Sequence, residues 1–342
     1  MKYLVTGAAG YIGSHTAREL LMRGAERVVA VDSLERGHRA AIGALERLAP
    51  GRVRFVEADI RDRRTLRETL LAERPDVVLH FASFALVGES MGNPAMYWSC
   101  SAGGTASLLE AIQAAGTRRL VFSSTCATYG VPDRMPIVET MPQRPCNPYG
   151  SAKLACETMI REQVEGARRT GGDFGAVLLR YFNVAGCSAD GLLGEDHDPE
   201  THLVPSALQA ALGTRPALEV FGTDYPTPDG TCVRDYVHVE DLAAAHVDAL
   251  RALRPPECRA YNVGIGHGFS VREVLDACER AVGRPIPAKV APRREGDPPE
   301  LRADPSRIMR ELGWAPRHRT LEPMVESAWR WMQANPRGYG GR

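Results

Sequence analysis

The chain has 342 residues and a mass of 37.3 kDa, 44% of it apolar and 25% charged, with 42 basic side chains against 42 acidic ones. That length buries a substantial core, as one large domain or two modest ones. The zero balance gives no global field to attract nucleic acid or an anionic membrane, and no apolar run reaches the length of a membrane span. The eight cysteines are scattered, with no C-x-x-C pair and no metal-ligand spacing. They read as small buried hydrophobes of a reducing, cytoplasmic compartment, and no metal is expected.

The first element predicted is a strand from Lys2 to Thr6, which enters its pattern too early for a signal peptide. It runs into Gly7-Ala8-Ala9-Gly10-Tyr11-Ile12-Gly13, then a helix over 14–22, then a strand Arg27-Val28-Val29-Ala30-Val31 closed by Asp32. Glycines at Gly7, Gly10 and Gly13 permit a tight turn and let backbone N–H groups approach a pyrophosphate at a helix N-terminus. An acid some twenty residues on accepts hydrogen bonds from the adenosine ribose. Asp32 also repels a 2′-phosphate, which favours NAD over NADP, although Arg36 and Arg39 stand close in sequence.

The alternation continues with a strand at 53–56, a helix over 63–72 and a buried strand at 76–80 followed by Phe81-Ala82-Ser83. One long helix is predicted over 94–115, then a strand at 120–122 ending in Ser123-Ser124-Thr125. Repeated βα units of this size mean an α/β fold with a doubly wound parallel sheet. Ligands of such sheets bind outside the carboxyl ends of the strands, the edge where Gly7, Asp32, Asp59, Phe81, Thr125 and Phe182 fall.

Asn147-Pro148-Tyr149 then opens a helix that places Tyr149 and Lys153 four residues apart on one face. An ammonium beside a phenol favours the phenolate, so the pair reads as a general base. A strand at 176–180 completes the first unit, 1–182, and a smaller α/β unit, 183–342, follows, with about 237–265 expected to return to the first. In the second unit, 202–205, 220–223 and 233–236 are expected as loops, and a helix over 241–253. Arg234 and Arg294 are candidate phosphate clamps; the bland alternative pairs each with a neighbouring acid, Asp235 or Asp297.

Together these residues resemble a family, the UDP-glucose 4-epimerases among the extended short-chain dehydrogenases, along nearly the whole chain. The carriers are Gly7 to Ser14, His80-Phe81-Ala82 with Val87-Gly88-Glu89-Ser90, Ser123 to Gly130, and Pro148 to Lys153. Arg180-Tyr181-Phe182-Asn183, Gly230 to Tyr236 and Arg293-Arg294-Glu295-Gly296-Asp297 complete the set. The resemblance implies Tyr149 as catalytic base, Lys153 as its pKa-lowering and ribose-binding partner, and Thr125 as the hydroxyl on the sugar 4-oxygen. It implies NAD contacts at Tyr11, Ile12, Asp32, Asp59, Ile60, Phe81, Ala82 and Phe182, beside Gly7, Gly10, Gly13 and Ser83. It implies a UDP-sugar held by Asn183, His202, Leu203, Phe221, Arg234, Arg294 and Asp297, and a homodimer formed through 94–115 and 149–165.

The chain departs from that pattern where Phe84-Ala85-Leu86 offers no lysine to the cofactor phosphates and Cys100 replaces an asparagine. Leu301 lies where relatives vary a residue that gates N-acetyl sugars, and Ser123 to Gly130 also resembles UDP-xylose (UDP-arabinose) 4-epimerases. Dehydration is disfavoured, because Cys126-Ala127 after Thr125 carries no acid to protonate a leaving hydroxyl. A net dehydrogenase or reductase would use the same Tyr and Lys, whereas an NAD-sensing regulator would be expected to have lost them.

Overall fold

In the computed structural model, which describes residues 1–294 and 297–340, strands and helices alternate through the first half of the chain. The order is β1 (Lys2–Thr6), α1 (Tyr11–Met22), β2 (Arg27–Asp32), α2 (Arg39–Leu48), β3 (Val53–Glu57), α3 (Arg63–Glu73) and β4 (Val77–His80). There follow α4 (Val87–Gly92), α5 (Pro94–Tyr97), α6 (Gly104–Ala115), β5 (Arg119–Thr125), α7 (Pro148–Arg169) and β6 (Gly175–Tyr181).

The second half continues with β7 (Asn183–Ala185), α8 (Leu203–Leu212), β8 (Leu218–Phe221), β9 (Val233–His238), α9 (Val239–Asp248) and β10 (Cys258–Val263). It ends with β11 (Gly268–Ser270), α10 (Val271–Val282), β12 (Ala288–Ala291), β13 (Glu300–Leu301), α11 (Ser306–Leu312) and α12 (Leu321–Ala334). No described helix is long and apolar enough to cross a membrane.

Seven parallel strands form the main sheet in the order β10-β6-β5-β4-β1-β2-β3. The chain winds outward in one direction from β1 and in the other from β4, so the switch point lies between them. Register aligns the carboxyl ends: Thr6 stands opposite both Val31 and His80, and Thr125 opposite Tyr181. The turn after β1 and the ends of β2, β4 and β5 therefore open on one edge.

Alternation along the strands divides the core. Tyr3 and Val5, with Val28 and Ala30, face a cluster with Leu20, Ile42 and Leu242; Leu4, Val29 and Val31 face one with Leu66, Leu108 and Ile160. Side chains at successive strand positions point to opposite faces, which is why near-continuous apolar strands bury both. A third cluster, including Val204, Leu208, Tyr236, Val274, Met324 and Trp331, lies under the second half. β10 pairs with β6 in the main sheet and α9 packs on α1, while β9 heads a separate small sheet with β7, β11 and β13.

Three expectations need correction. The single helix over 94–115 is interrupted by a π-helical turn, Trp98–Gly103, between α5 and α6. Gly104 passes so close to Ile60 that a Cβ there would stand 2.3 Å from its Cδ1. The segments expected as loops carry regular structure: α8 begins at Leu203, β8 ends at Phe221, and 233–236 lies inside β9. β9 is fixed by partners distant in sequence, Asn183 against Tyr236 and Gly268 against Asp235, which no local pattern announces. The helix expected over 241–253 runs Val239–Asp248 and tightens into a 3₁₀ turn, Ala249–Ala252.

Candidate active site

The turn after β1 is built by close approach. Gly7 sits at φ +70°, and a Cβ on it would stand 2.6 Å from the Ala82 amide nitrogen. A Cβ on Gly13 would stand 2.0 Å from the Gly7 carbonyl oxygen. Gly10 differs: its φ is −80°, and a Cβ there would meet only the Gly7 oxygen, at 3.4 Å. Gly10 caps α1 with no side-chain hydrogen bond and no acid follows in the first turn, so the N–H groups of Tyr11, Ile12 and Gly13 face the strand edge as anion donors.

At the end of β2, Asp32 is 8% exposed, and its carboxylate accepts from Ala9 N at 2.9 Å and Leu34 N at 2.8 Å. Burial raises its pKa and those two bonds oppose the rise. Arg36 turns away to Glu89 (2.5 Å) and the Asp198 carbonyl (2.7 Å), and Arg39 to Glu46 (3.1 Å). Asp59 is gripped by Arg61, which holds its carboxyl below the usual range. Ile60 is buried, Phe81 packs on the His246 ring at 4.7 Å, and Ala82 backs Gly7. Ser83 bonds Ser101 of the π turn at 2.8 Å, beside Cys100.

Helix α7 starts where the Asn147 side chain accepts from Gly150 N at 2.8 Å, with Pro148 in its first turn. Tyr149 is 6% and Lys153 3% exposed. The Thr125 side chain, at the end of β5, lies beside the Tyr149 phenol and acts to lower its pKa, while its own hydroxyl oxygen accepts from Ala127 N at 3.1 Å. Lys153 shares the buried face of α7 with Tyr149. Burial pushes the phenol well above its usual value, the neighbouring Tyr181 adds to the rise, and Thr125 supplies the opposing contact. The Lys153 ammonium donates to the Ser123 carbonyl at 2.9 Å and lies 4.9 Å over the Phe122 ring. Its own pKa is lowered by burial.

Beyond β6, Phe182 is buried with Tyr129, Ile137 and Ala303, and Leu301 packs against that cluster. Asn183 stands in β7 opposite Tyr236. Arg234 bonds Asp297 at 2.5 Å rather than its neighbour Asp235, whose buried carboxylate accepts from Ile265, Gly266 and Ala303 backbone N–H groups. Burial pushes Asp235 up to about 7. The Arg294 guanidinium lies 4.0 Å over the Phe221 ring. Glu295 and Gly296 of the same motif lie outside the described residues.

His202 precedes α8 as its N-cap residue, with Leu203 first in the helix. The residues around it are not among the candidates that the sequence offers. Glu195, His197 and Glu200 converge on His202, and the Tyr11 ring meets His197 edge-on at 6.0 Å. The signal was present as four ligating side chains within eight positions, 195–202. Burial alone would lower His197, but Glu195 and Glu200 outweigh it and raise the imidazole to about 10.

With that geometry in place, comparison with known proteins gives a consistent result. A sequence profile described as NAD dependent epimerase/dehydratase family matches residues 3–264. A UDP-glucose 4-epimerase of Lacticaseibacillus casei is 47% identical over 345 residues, covering 100% of both chains. A probable UDP-arabinose 4-epimerase 3 of Oryza sativa subsp. japonica is 45% identical, over 98% of this chain and 83% of that one. The solved UDP-glucose 4-epimerase of Bifidobacterium longum, in complex with NAD+ and UDP, superposes with a TM-score of 0.93 at 38% identity, over 99% of this chain and 100% of that one. The chain belongs to the NAD dependent epimerase/dehydratase family.

Proposed function

We propose that the protein reversibly inverts C4 of a UDP-hexose, interconverting UDP-galactose and UDP-glucose, with NAD as cofactor. The observation that carries this reading is the meeting of Thr125 and the Tyr149 phenol at the end of β5, on the strand edge that also holds the Gly7–Gly13 turn. The residues present fit the cofactor: the α1 N–H groups face out from the edge, Gly10 has no close contact of its own to keep it a glycine, and Asp32 retains acceptor capacity for ribose hydroxyls. Gly7, Gly10, Tyr11, Ile12, Gly13, Asp32, Asp59, Ile60, Phe81, Ala82, Ser83 and Phe182 would hold it, with Tyr149 and Lys153 at its reactive end. When bound, NAD supplies the reversible hydride acceptor and, in its oxidised form, a positive charge that favours the phenolate.

Tyr149 takes the proton from the sugar 4-hydroxyl and later returns one to the same oxygen, while Thr125 holds that oxygen. Arg234 and Arg294 grip the diphosphate, and Asn183, His202, Leu203, Phe221 and Asp297 complete the nucleotide end. Holding the substrate by UDP and leaving the hexose loosely held lets the 4-keto sugar present its other face. A pentose is the second reading, favoured by the 45% identity to a probable UDP-arabinose 4-epimerase. The test is a panel of UDP-galactose, UDP-N-acetylgalactosamine and UDP-arabinose with purified protein. Catalytic product without added NADH is expected, and stoichiometric NADH build-up would refute epimerisation.

The unit boundary falls near 182/183 on this reading, with 237–265 returning to the first unit. The protein works in the cytoplasm, consistent with eight free cysteines, and as a homodimer through 94–115 and 149–165. Met91 and Trp98, 60% and 43% exposed near that helix pair, support a second copy as the partner. Trp98→Asp is expected to shift the sedimentation mass from two chains to one, and an unchanged mass would remove this interface.

A further inference from the structure

We propose that Glu195, His197, Glu200 and His202 form a four-ligand site for a divalent transition metal of the Zn2+ type. One donor atom from each residue lies within 4.8 Å of every other. Zn2+ sits at about 2.0–2.2 Å from imidazole nitrogen and carboxylate oxygen, so the edges of its tetrahedron measure about 3.3–3.6 Å. His197 Nδ1 stands 3.4 Å from Glu195 Oε1 and 3.5 Å from Glu200 Oε2, which are edges of that size. Glu195 Oε1 and His202 Nδ1 are in direct hydrogen-bond contact, and side-chain rotation opens that contact to the same edge when an ion replaces the proton.

Three further features favour a metal over a plain charge cluster. His197 Nδ1 is buried without a well-formed hydrogen bond, although it points at both carboxylates. Both glutamates are nearly closed to water, at 5% and 8% exposure. Glu200 Oε1 already accepts from His202 N at 2.8 Å, which fixes its carboxylate and leaves Oε2 for the centre. Two imidazoles with two carboxylates in a four-donor set suit zinc, whereas calcium takes six to eight oxygens (about) and magnesium an octahedron.

Four protein ligands leave no open position, so the ion is structural. It would tie the segment 195–202 into one loop between the Tyr11 ring at the start of α1 and the N-terminus of α8. The partly exposed His197, at 26% of its side chain, is the entry side.

The test uses the full-length, tag-free protein, stripped with a chelator and titrated with Zn2+ and, as spectroscopic probe, Co2+. One ion per chain retained through dialysis, with the visible absorption of tetrahedral Co2+, is expected. His197→Ala, and separately the near-isosteric Glu200→Gln, are expected to weaken binding at least about tenfold and to lose the Zn2+-dependent rise in thermal midpoint. A wild-type chain that takes up no ion from excess Zn2+ overturns the proposal. So does uptake that is unchanged in both variants while they remain folded by circular dichroism.

Discussion

Gly10 and Gly13 share one turn but are held there for different reasons. A methyl group on Gly13 would overlap the Gly7 carbonyl at 2.0 Å, a collision with backbone that cannot move aside. Gly13→Ala is therefore expected to destabilise the fold by a few kcal/mol, on the order of 1–3 for an overpacked core site. A methyl on Gly10 meets only ordinary contact, at 3.4 Å, and projects into the space assigned to the cofactor pyrophosphate. Gly10→Ala should keep the wild-type urea midpoint and lose NAD on gel filtration; full retention of NAD would remove the assigned role. Asp235 is another residue whose surroundings decide the outcome. Its two oxygens accept three backbone N–H groups, and an amide can present only one accepting oxygen. Asp235→Asn is expected to cost about 1–3 kcal/mol in urea unfolding, the usual cost of a buried donor left unpaired.

At the scale of the element, helix α7 does more than carry Tyr149 and Lys153. Glu157 continues the same face one turn on, fully buried, and meets Arg180 of β6 through two hydrogen bonds at 2.6 and 2.8 Å. Ser124 of β5 donates to the same carboxylate at 2.6 Å, and Arg180 reaches on to Tyr129 at 2.8 Å. Helix, two strands and the segment after β5 are thereby fixed around the Thr125–Tyr149 contact. Removing one partner leaves a buried charge alone, so Glu157→Ala should cost about 3–5 kcal/mol. Glu157→Leu combined with Arg180→Met should recover much of that loss, and denaturation midpoints of the single and double variants measure it. Start and face of α7 were legible in the sequence, because the Asn147-Pro148 signal and the four-residue spacing are local. The Glu157–Arg180 pair was not, since β6 meets α7 only through tertiary packing. The same reason hid β9, whose register is set by β7, β11 and β13, and the π turn, which a helical period does not reveal. Lys153 shows the limit most plainly: spacing places it on Tyr149's face, but that its ammonium donates a hydrogen bond to the Ser123 carbonyl depends on how β5 packs against α7.

For the whole molecule, a doubly wound sheet closed on both faces forces polar side chains into the interior, and histidine is the one whose charge then depends on mild acid. Burial drives His80 and His238 down to about 3 and His15 and His246 to about 4. His80 illustrates the cause, since its ring nitrogens are bonded to Thr6 at 2.7 Å and Thr105 at 3.1 Å in a site with no room for hydration. An unfolded histidine titrates near pH ~6.5, so between that value and about pH 4 the unfolded chain binds protons that the folded chain refuses. The stability these four residues contribute is complete above pH ~6.5 and is lost as pH falls. Asp235 opposes them: raised to about 7, it is protonated when folded and ionised when unfolded over the same window. These five groups together take up about three protons on unfolding near pH 5, and their contribution to stability should fall by up to about 4 kcal/mol per pH unit there. Urea unfolding at pH 5, 5.5 and 6 measures that slope directly. His80→Gln and His246→Gln variants that fold should each reduce it by about one proton, whereas a slope near zero in the parent chain would mean that these rings are already charged in the folded state.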